Sequence, residues 1–149
     1  MLDRARALIE ERVGGAITGE GSSLIASVPV ERWLDLARLA KGELGYLYFN
    51  FLTAVDWKEQ GLEVVARVEN LEANASLTMR AKLPSDAPHC PSLTAVWRGA
   101  NWMERECYDM FGIAFDGHPD LRRILLPQDW EGHPLLKAYA VDTPHPPYR

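Results

Sequence analysis

The sequence has only two cysteines and no long apolar run, and these two shortages exclude several classes of protein. Two cysteines among 149 residues cannot form a disulfide scaffold or supply the four thiolates of an iron–sulfur cluster. The longest apolar stretch, residues 46–55, is interrupted by Asn50 and Thr53 and is shorter than the roughly 18 apolar residues of a membrane span. We therefore expect a chain with no membrane span.

Positive charge is also in short supply. Sixteen Lys and Arg stand against 21 Asp and Glu, which gives a formal net charge of −5. Such a balance disfavours nucleic acid or anionic lipid as the main partner. The first residues, Met1 to Arg4, lack the apolar core of a secretory signal. We expect a chain that is cytosolic and reduced, or held at a membrane through another subunit.

The patterns of common catalytic and cofactor sites are missing as well. The glycine-containing residues 14–22 lack the order of a phosphate-binding loop, and no Gly-x-Ser-x-Gly turn occurs. Structural zinc sites show tight ligand spacing, but this chain has neither a Cys-x-x-Cys nor a His pair at i, i+4. The scattered potential metal ligands are His89, Cys90, Cys107, His118 and His133.

The pattern that remains is that of an α+β domain. Apolar residues at helical spacing predict helices over residues 2–13, 31–41 and 101–111. Runs rich in branched and aromatic residues predict strands over 23–29, 46–57, 62–68 and 75–83. We predict a two-layer domain in which a mixed or antiparallel meander of four to five strands packs with two to three helices. A long irregular C-terminal segment follows.

We assign residues 1–149 to a single domain, because this length is close to the commonest domain size. Prolines divide the chain further. They predict an internal loop over residues 84–91 and an extended C-terminal tail over residues 137–149. A short echo, in which Asp116 to Leu121 resembles Glu131 to Leu136, predicts two similar Gly-His-Pro turns.

The helix predicted over 101–111 carries a dense group of acids. Glu104, Glu106 and Asp109 allow three interpretations: an acid–base pair, a solvated helix face, or a charged rim at a subunit interface. Paired carboxylates suit acid–base chemistry only where burial separates their pKa values. The sequence leaves these interpretations open.

Aromatic and arginine side chains crowd into the last third of the chain. These types dominate protein–protein contacts, and a small domain cannot bury all of them. Trp97 also fits the core, whereas Trp102 lies away from the apolar stripe of its helix. We predict a partner interface within residues 97–136. Its predicted contact residues are Trp97, Trp102, Glu104, Arg105, Glu106, Tyr108, Asp109, His118, Pro119, Leu121, Arg122, Arg123, Trp130 and His133.

One ordered motif in this region matches a known family signature. Glu-Arg-Glu at 104–106 is followed by an acid and two apolar residues at 109–111, a His at 118, a basic residue at 122 and two aliphatics at 124–125. Residues 97–136 thereby resemble the thirty-kilodalton subunit, or C-type subunit, of proton-pumping NADH–quinone oxidoreductase, respiratory complex I. The chain departs from that family at Leu136 to Ala140, where the family commonly has Arg-Lys-Asp-Tyr-Pro, and in being shorter than most complex I versions.

The resemblance implies a non-catalytic structural subunit of the peripheral arm. Its implied partners are the forty-nine-kilodalton, D-type large subunit and neighbouring iron–sulfur subunits, within a complex that transfers electrons from NADH to quinone. The resemblance implies no flavin, iron–sulfur cluster or quinone in this chain, because those groups belong to partner subunits. It also implies a peripheral position on the cytoplasmic side of the inner or plasma membrane.

Two alternatives stay open beside this hypothesis. The departures from the family pattern also fit the equivalent subunit of a membrane-bound energy-converting hydrogenase or F420H2 dehydrogenase. A more distant alternative is a stand-alone metal-dependent enzyme that uses His89, His118 and His133 with the acidic helix.

Overall fold

The computed structural model describes residues 2–84, 86–140 and 142. Three helices and seven strands follow one another along these residues. They are α1 (Leu2–Arg12), β1 (Ala16–Thr18), β2 (Ser23–Ser27), α2 (Trp33–Gly42), β3 (Tyr48–Asp56), β4 (Leu62–Asn70), β5 (Ala75–Leu83), β6 (His89–Pro91), α3 (Ala100–Phe111) and β7 (Ala114–Asp116). Short 3₁₀ turns precede α2 and join β3 to β4.

Five of the strands form one mixed sheet in the order β1-β2-β5-β4-β3. Strands β3, β4 and β5 are a meander of antiparallel neighbours, which confirms the predicted pattern. Strand β2 lies parallel to β5, with Leu24 opposite Leu77 and Ala26 opposite Met79. A parallel neighbour needs a long crossover connection, and here α2 together with β3 and β4 supplies it.

Side chains alternate between the two faces of this sheet, and only one face is apolar throughout. Val64, Ala66 and Val68 of β4 and Leu77 and Met79 of β5 are buried on that face. The period of two along each strand sends the intervening residues to the opposite face, which is largely polar. The helices cover the apolar face, so the predicted two-layer α+β fold is confirmed.

Helices α1 and α2 belong to the same core. Ile9 of α1 and both Trp33 and Leu36 of α2 have no exposed surface. None of the helices in the described part of the chain is long and apolar enough to cross a membrane.

Two segments, the predicted internal loop and the predicted extended tail, differ from their predicted form. Within the loop predicted over residues 84–91, His89–Pro91 form β6, which pairs in parallel with β7. Proline is tolerated there because it ends a short strand in a sheet of only two strands. In the tail predicted as extended, the amide of Tyr139 donates to the carbonyl of Leu136 and closes a turn. Residues 141 and 143–149 of that prediction lie outside the described residues.

Helix α3 ends as its sequence predicts. Gly112 adopts a left-handed conformation with φ of 75°, and its amide donates to the carbonyl of Tyr108 at 2.9 Å. A Cβ atom on Gly112 would lie 2.8 Å from Cδ2 of His133. The position therefore excludes a side chain on two independent grounds, backbone conformation and space.

We expect Gly112→Ala to lower the free energy of unfolding by at least about 1 kcal/mol, because Ala is strained at positive φ and meets His133. Gly42→Ala is the matched control. It lies at the end of α2 with nothing near its Cβ position and no positive φ, so it should be neutral or slightly stabilising. Urea unfolding of the full chain measures both, and equal shifts would contradict the placement of Gly112.

Candidate functional site

Residues 118–136, which we call the strap, contain no helix or strand but lie against α3. A segment of this kind must satisfy its backbone polar groups in some other way. Here side chains of α3 and of the strap itself bind those groups. The contacts fall at three places along the helix: near its start, in its middle and near its end.

Asp109, close to the end of α3, is the acid to which the strap's backbone amides bind. It is fully buried, and its Oδ2 accepts three consecutive strap amides, from Ile124 at 3.2 Å, Leu125 at 2.9 Å and Leu126 at 3.0 Å. Its Oδ1 accepts from Arg123 at 2.7 Å. Burial by itself raises the pKa of Asp109, but Arg123 and the three amides outweigh it and hold the pKa below its usual value.

Arg123 joins the two ends of the strap to the helix. One guanidinium nitrogen donates to both the carboxylate and the backbone carbonyl of Asp109. The other donates to the carbonyls of Trp130 at 2.8 Å and Gly132 at 2.9 Å. Its side chain is 10% exposed, so the ion pair with Asp109 is shielded from water. The strap therefore closes around a single buried arginine.

Arg105, in the middle of α3, also points into this network. Its Nε donates to the carbonyl of Arg122 at 3.1 Å and its NH2 to the carbonyl of Arg123 at 2.9 Å. The cation thus binds backbone oxygens of the strap.

The two Gly-His-Pro turns attach the strap to α3 at both ends. Nδ1 of His118 accepts from the amide of Asp120 at 3.0 Å, so its Nε2 carries the proton and donates to the carbonyl of Asn101 at 3.0 Å. His133 Nδ1 lies 2.9 Å from the carbonyl of Asp109, to which it donates. The glycines before them have φ of 86° and 87°. The two glycines therefore share a left-handed conformation, while the hydrogen bonds of the two turns differ.

These contacts keep two of the candidate metal ligands, His118 and His133, apart. The carbonyls that bind His118 and His133 are eight residues apart on one helix, about 12 Å along its axis. His89 pairs instead with Asp116, Nδ1 to Oδ2 at 2.9 Å. Across residues 2–84, 86–140 and 142, no three His, Cys, Asp or Glu form a group able to hold a metal ion. The described residues therefore do not gather His89, His118 and His133 into one such group.

Glu104 is a second buried acid, one turn earlier on α3. Its Oε1 accepts from the hydroxyl of Ser92 at 2.6 Å and its Oε2 from the amide of Leu93 at 2.7 Å. Ser92 Oγ also lies 2.8 Å from the hydroxyl oxygen of Thr94. Burial raises the pKa of Glu104 to about 7, although both donors oppose the shift. The carboxyl fastens the turn before α3 to the inner side of the helix.

The interpretation of the acids as a solvated face is therefore wrong for Glu104 and Asp109, while Glu106 is exposed. Glu104 lies three residues before Cys107, in line with the buried stripe, and that spacing was a signal available in the sequence. Asp109 is buried because the strap covers it. No local pattern of α3 indicates that cover.

Three predicted contact residues, Trp97, Glu104 and Asp109, are buried and so cannot touch a partner while the fold is intact. Trp97 donates through Nε1 to the carbonyl of Tyr46 at 3.1 Å. Trp102 is 70% exposed. Arg123 is nearly buried, and the other members, all at least partly exposed, are Arg105, Glu106, Tyr108, His118, Pro119, Leu121, Arg122, Trp130 and His133.

Sequence reasoning missed Leu125 as a surface feature. Its side chain is 62% exposed although its amide is bound to the buried carboxylate of Asp109. The three amides that converge on Asp109 force a tight turn, and that turn holds Leu125 outward. An aliphatic pair in a sequence normally indicates core, so nothing in the pattern separates Leu125 from its neighbours.

Comparison with known proteins identifies the family of this chain. Residues 26–145 match the family described as the respiratory-chain NADH dehydrogenase, 30 Kd subunit. The chain belongs to this family. The region that carries the resemblance in the sequence is therefore α3 together with the strap.

Relatives in this family are similar over most of their length. The C-type subunit of the NADH-quinone oxidoreductase of Chlorobium phaeobacteroides is 37% identical over 90% of this chain and 86% of its own. That of Roseiflexus sp. is 40% identical over 92% of this chain and 80% of its own.

Solved structures agree with the fold. A trypsin-resistant fragment of Nqo5 matches with a TM-score of 0.67 and 30% identity, covering 80% of this chain and 96% of the fragment. A chain of the archaeal membrane-bound sulfane sulfur reductase matches with a TM-score of 0.71 over 86% of this chain and 77% of that one. Its identity is 23%, so it shows the fold alone.

We expect Asp109→Asn to lower the free energy of unfolding by about 3–5 kcal/mol, because Arg123 then stays buried without its carboxylate. The control is Asp129→Asn, an exposed acid of the strap, which should shift stability by no more than about 0.5 kcal/mol. Urea unfolding of the full chain at pH 7 provides the measurement. Similar unfolding midpoints for the two variants would contradict the importance of Asp109 for stability.

We expect Glu104→Gln to abolish one component of the pH dependence of stability. A carboxyl whose folded pKa is raised to about 7 contributes stability below its unfolded pKa, and this is lost as the pH rises to 7. Between pH 5 and 8 the loss in the unchanged chain is on the order of 2–3 kcal/mol. Gln can still accept a hydrogen bond from Leu93 and can donate one to Ser92. The stability of the variant relative to the unchanged chain should therefore increase as the pH rises.

The control for this pH experiment is Glu106→Gln, two residues away and exposed. It should leave the slope of stability against pH unchanged between pH 5 and 8. Chemical unfolding at several pH values gives both slopes. A Glu104→Gln variant with the slope of the unchanged chain would show that Glu104 does not titrate in this range.

Proposed function

We propose that this chain is a non-catalytic structural subunit of the peripheral arm of a proton-pumping NADH–quinone oxidoreductase. In that role it binds the large D-type subunit and supports electron transfer from NADH to quinone without taking part in it. Family membership and the names of the relatives from Chlorobium and Roseiflexus support the assignment. The flavin, iron–sulfur clusters and quinone then belong to neighbouring subunits, and the chain is peripheral on the cytoplasmic side of the membrane.

The exposed Trp102 carries the docking part of this proposal. Trp102 lies on α3. The other sides of this helix pack against the sheet and the strap, and its own Glu104 binds the turn before it. An aromatic side chain of this size buries about 150–250 Å² in a contact, worth about 4–6 kcal/mol before the costs of association. Exposed tryptophan on a rigid element is the typical centre of a protein–protein contact.

The buried charges explain why the docking surface is already ordered. Arg105 and Arg123 hold the strap through backbone oxygens, so Leu125 and Arg122 occupy set positions beside α3. A surface that needs no reordering on binding avoids an entropic cost for each side chain it would otherwise fix. In this proposal the network of Asp109 and Arg123 acts on the partner only by holding that surface.

The equivalent subunit of an energy-converting hydrogenase or F420H2 dehydrogenase is the second candidate. The match to the sulfane sulfur reductase chain favours keeping it, because the same fold occurs in an archaeal respiratory membrane complex of another kind. The names of the relatives favour the quinone-reducing complex.

The test is recovery of the large D-type subunit with a tagged copy of the full chain from detergent-solubilised native membranes. We expect the unchanged chain to recover it, and Trp102→Ala to reduce recovery at least about tenfold, the effect of losing a contact worth about 1.4 kcal/mol or more. Trp57→Ala is the matched control, since Trp57 is also exposed but lies between β3 and β4.

Mass spectrometry of the recovered chains separates the outcomes. Full recovery with Trp102→Ala would overturn the docking surface. Recovery of a hydrogenase-type large subunit would move the chain to the second complex. Recovery of the tagged chain without any large subunit would overturn the proposed function as a whole.

A further inference from the structure

We propose that the groove between Leu47 and Leu71, at the start of β3 and in the turn from β4 to β5, docks a second polypeptide. The docking segment would place an apolar side chain in the groove and a Lys or Arg beside Glu72. The inference uses no residue of α3 or the strap. It therefore stands apart from the surface that carries the proposed function.

The groove is the place where exposed apolar side chains gather outside α3 and the strap. Leu47 is 68% exposed, Leu71 67% and Tyr48 49%, and all three line one open depression of about 500 Å³. Single exposed leucines are ordinary on a protein surface, but three large apolar side chains around one depression indicate a binding site.

Asn70 makes the two sides of this groove rigid. Its side-chain amide donates to the carbonyl of Leu44 at 3.2 Å, while its side-chain oxygen accepts from the amide of Ala73 at 3.0 Å. The first bond ties the turn after β4 to the loop before β3, and the second closes the turn itself. Gly45 allows this approach, since a Cβ there would lie 2.9 Å from Asn70 Nδ2.

The loop on the Leu47 side is equally constrained. The amide of Tyr46 donates to Ala40 and that of Leu47 to Gly45. Tyr46 occupies the interior and is fully buried, whereas the next side chain, Leu47, faces solvent. The hydrogen bonds of these two segments hold Leu47 and Leu71 in place at the groove, which is the form of a preorganised site.

The acidic residues at the edge of the groove determine which class of partner it favours. Glu69 is already engaged, by Arg67 at 3.2 Å and Asn50 at 3.0 Å. Glu72 is exposed and forms no ion pair or hydrogen bond within the described part of the chain. A free carboxylate beside an apolar groove attracts a Lys or Arg and repels an anionic lipid surface. With a net charge of −5, a second copy of this chain is also disfavoured.

The first experiment measures protection of the groove in the native complex. Both native cysteines are buried, so Leu71→Cys introduces a single accessible thiol. Glu10→Cys, on the exposed side of α1, is the matched control. After normalisation to the detergent-unfolded chain, we expect a maleimide to label position 71 at least tenfold more slowly than position 10 in the intact complex. Equal rates would overturn the proposal.

A photoreactive maleimide on the same thiol identifies the occupant. We expect cross-links to a different polypeptide, at a segment in which apolar residues lie within a few positions of Lys or Arg. Cross-links to a second copy of this chain, to lipid or to an acidic segment would each overturn the proposal. The Trp102→Ala experiment tests the proposed docking surface on α3, so its result is independent of the result for the groove.

Charge reversal tests the rim. We expect Glu72→Lys, combined with Leu71→Cys, to reduce the cross-link yield at least about fivefold, because it places like charges at the contact. Glu59→Lys is the control for net charge, at an exposed acid in the turn before β4, at the opposite end of that strand from Glu72. Unchanged yield with Glu72→Lys, or an equal loss with both variants, would remove the assigned charge complementarity.

Discussion

The ion pair of Asp109 with Arg123 is the interaction on which the rest of the site depends. Removing a carboxylate and a guanidinium from water costs several kcal/mol per ion, and only close partners offset that cost. Here Asp109 receives one guanidinium and three consecutive amides, while Arg123 also satisfies two distant carbonyls. A strap with no helix or strand thereby acquires one defined course along α3.

Two carboxylates five residues apart on the same helix show how partners decide ionisation. Both are fully buried. Glu104 has two neutral donors, and burial raises its pKa to about 7. Asp109 has a cation and three amides, and its pKa lies below the usual value. One acid therefore responds to pH near neutrality, while the other remains a fixed anion at physiological pH.

The consequence for function is an unusual division between interior and surface. The charged side chains of Asp109 and Arg123 are buried between α3 and the strap, whereas Trp102 of α3 and Leu125 of the strap are exposed. A monomeric domain gains nothing from this arrangement, because it gives up apolar burial and bears the desolvation of ions. In the proposed role, the same arrangement provides a rigid surface that a partner can cover, and the groove beside Leu71 is proposed as a second contact.

The sequence alone determined the α+β class, the end of α3 at Phe111, the β meander and the family. Each follows from a period or a motif within one segment. The short strands β1, β6 and β7 carry too few residues to show a period. Only the tertiary structure decided that Asp109 is buried, that Arg105 points into the strap and that Leu125 points out. Burial of a charge depends on which distant segment covers it, and local pattern holds no information about that cover.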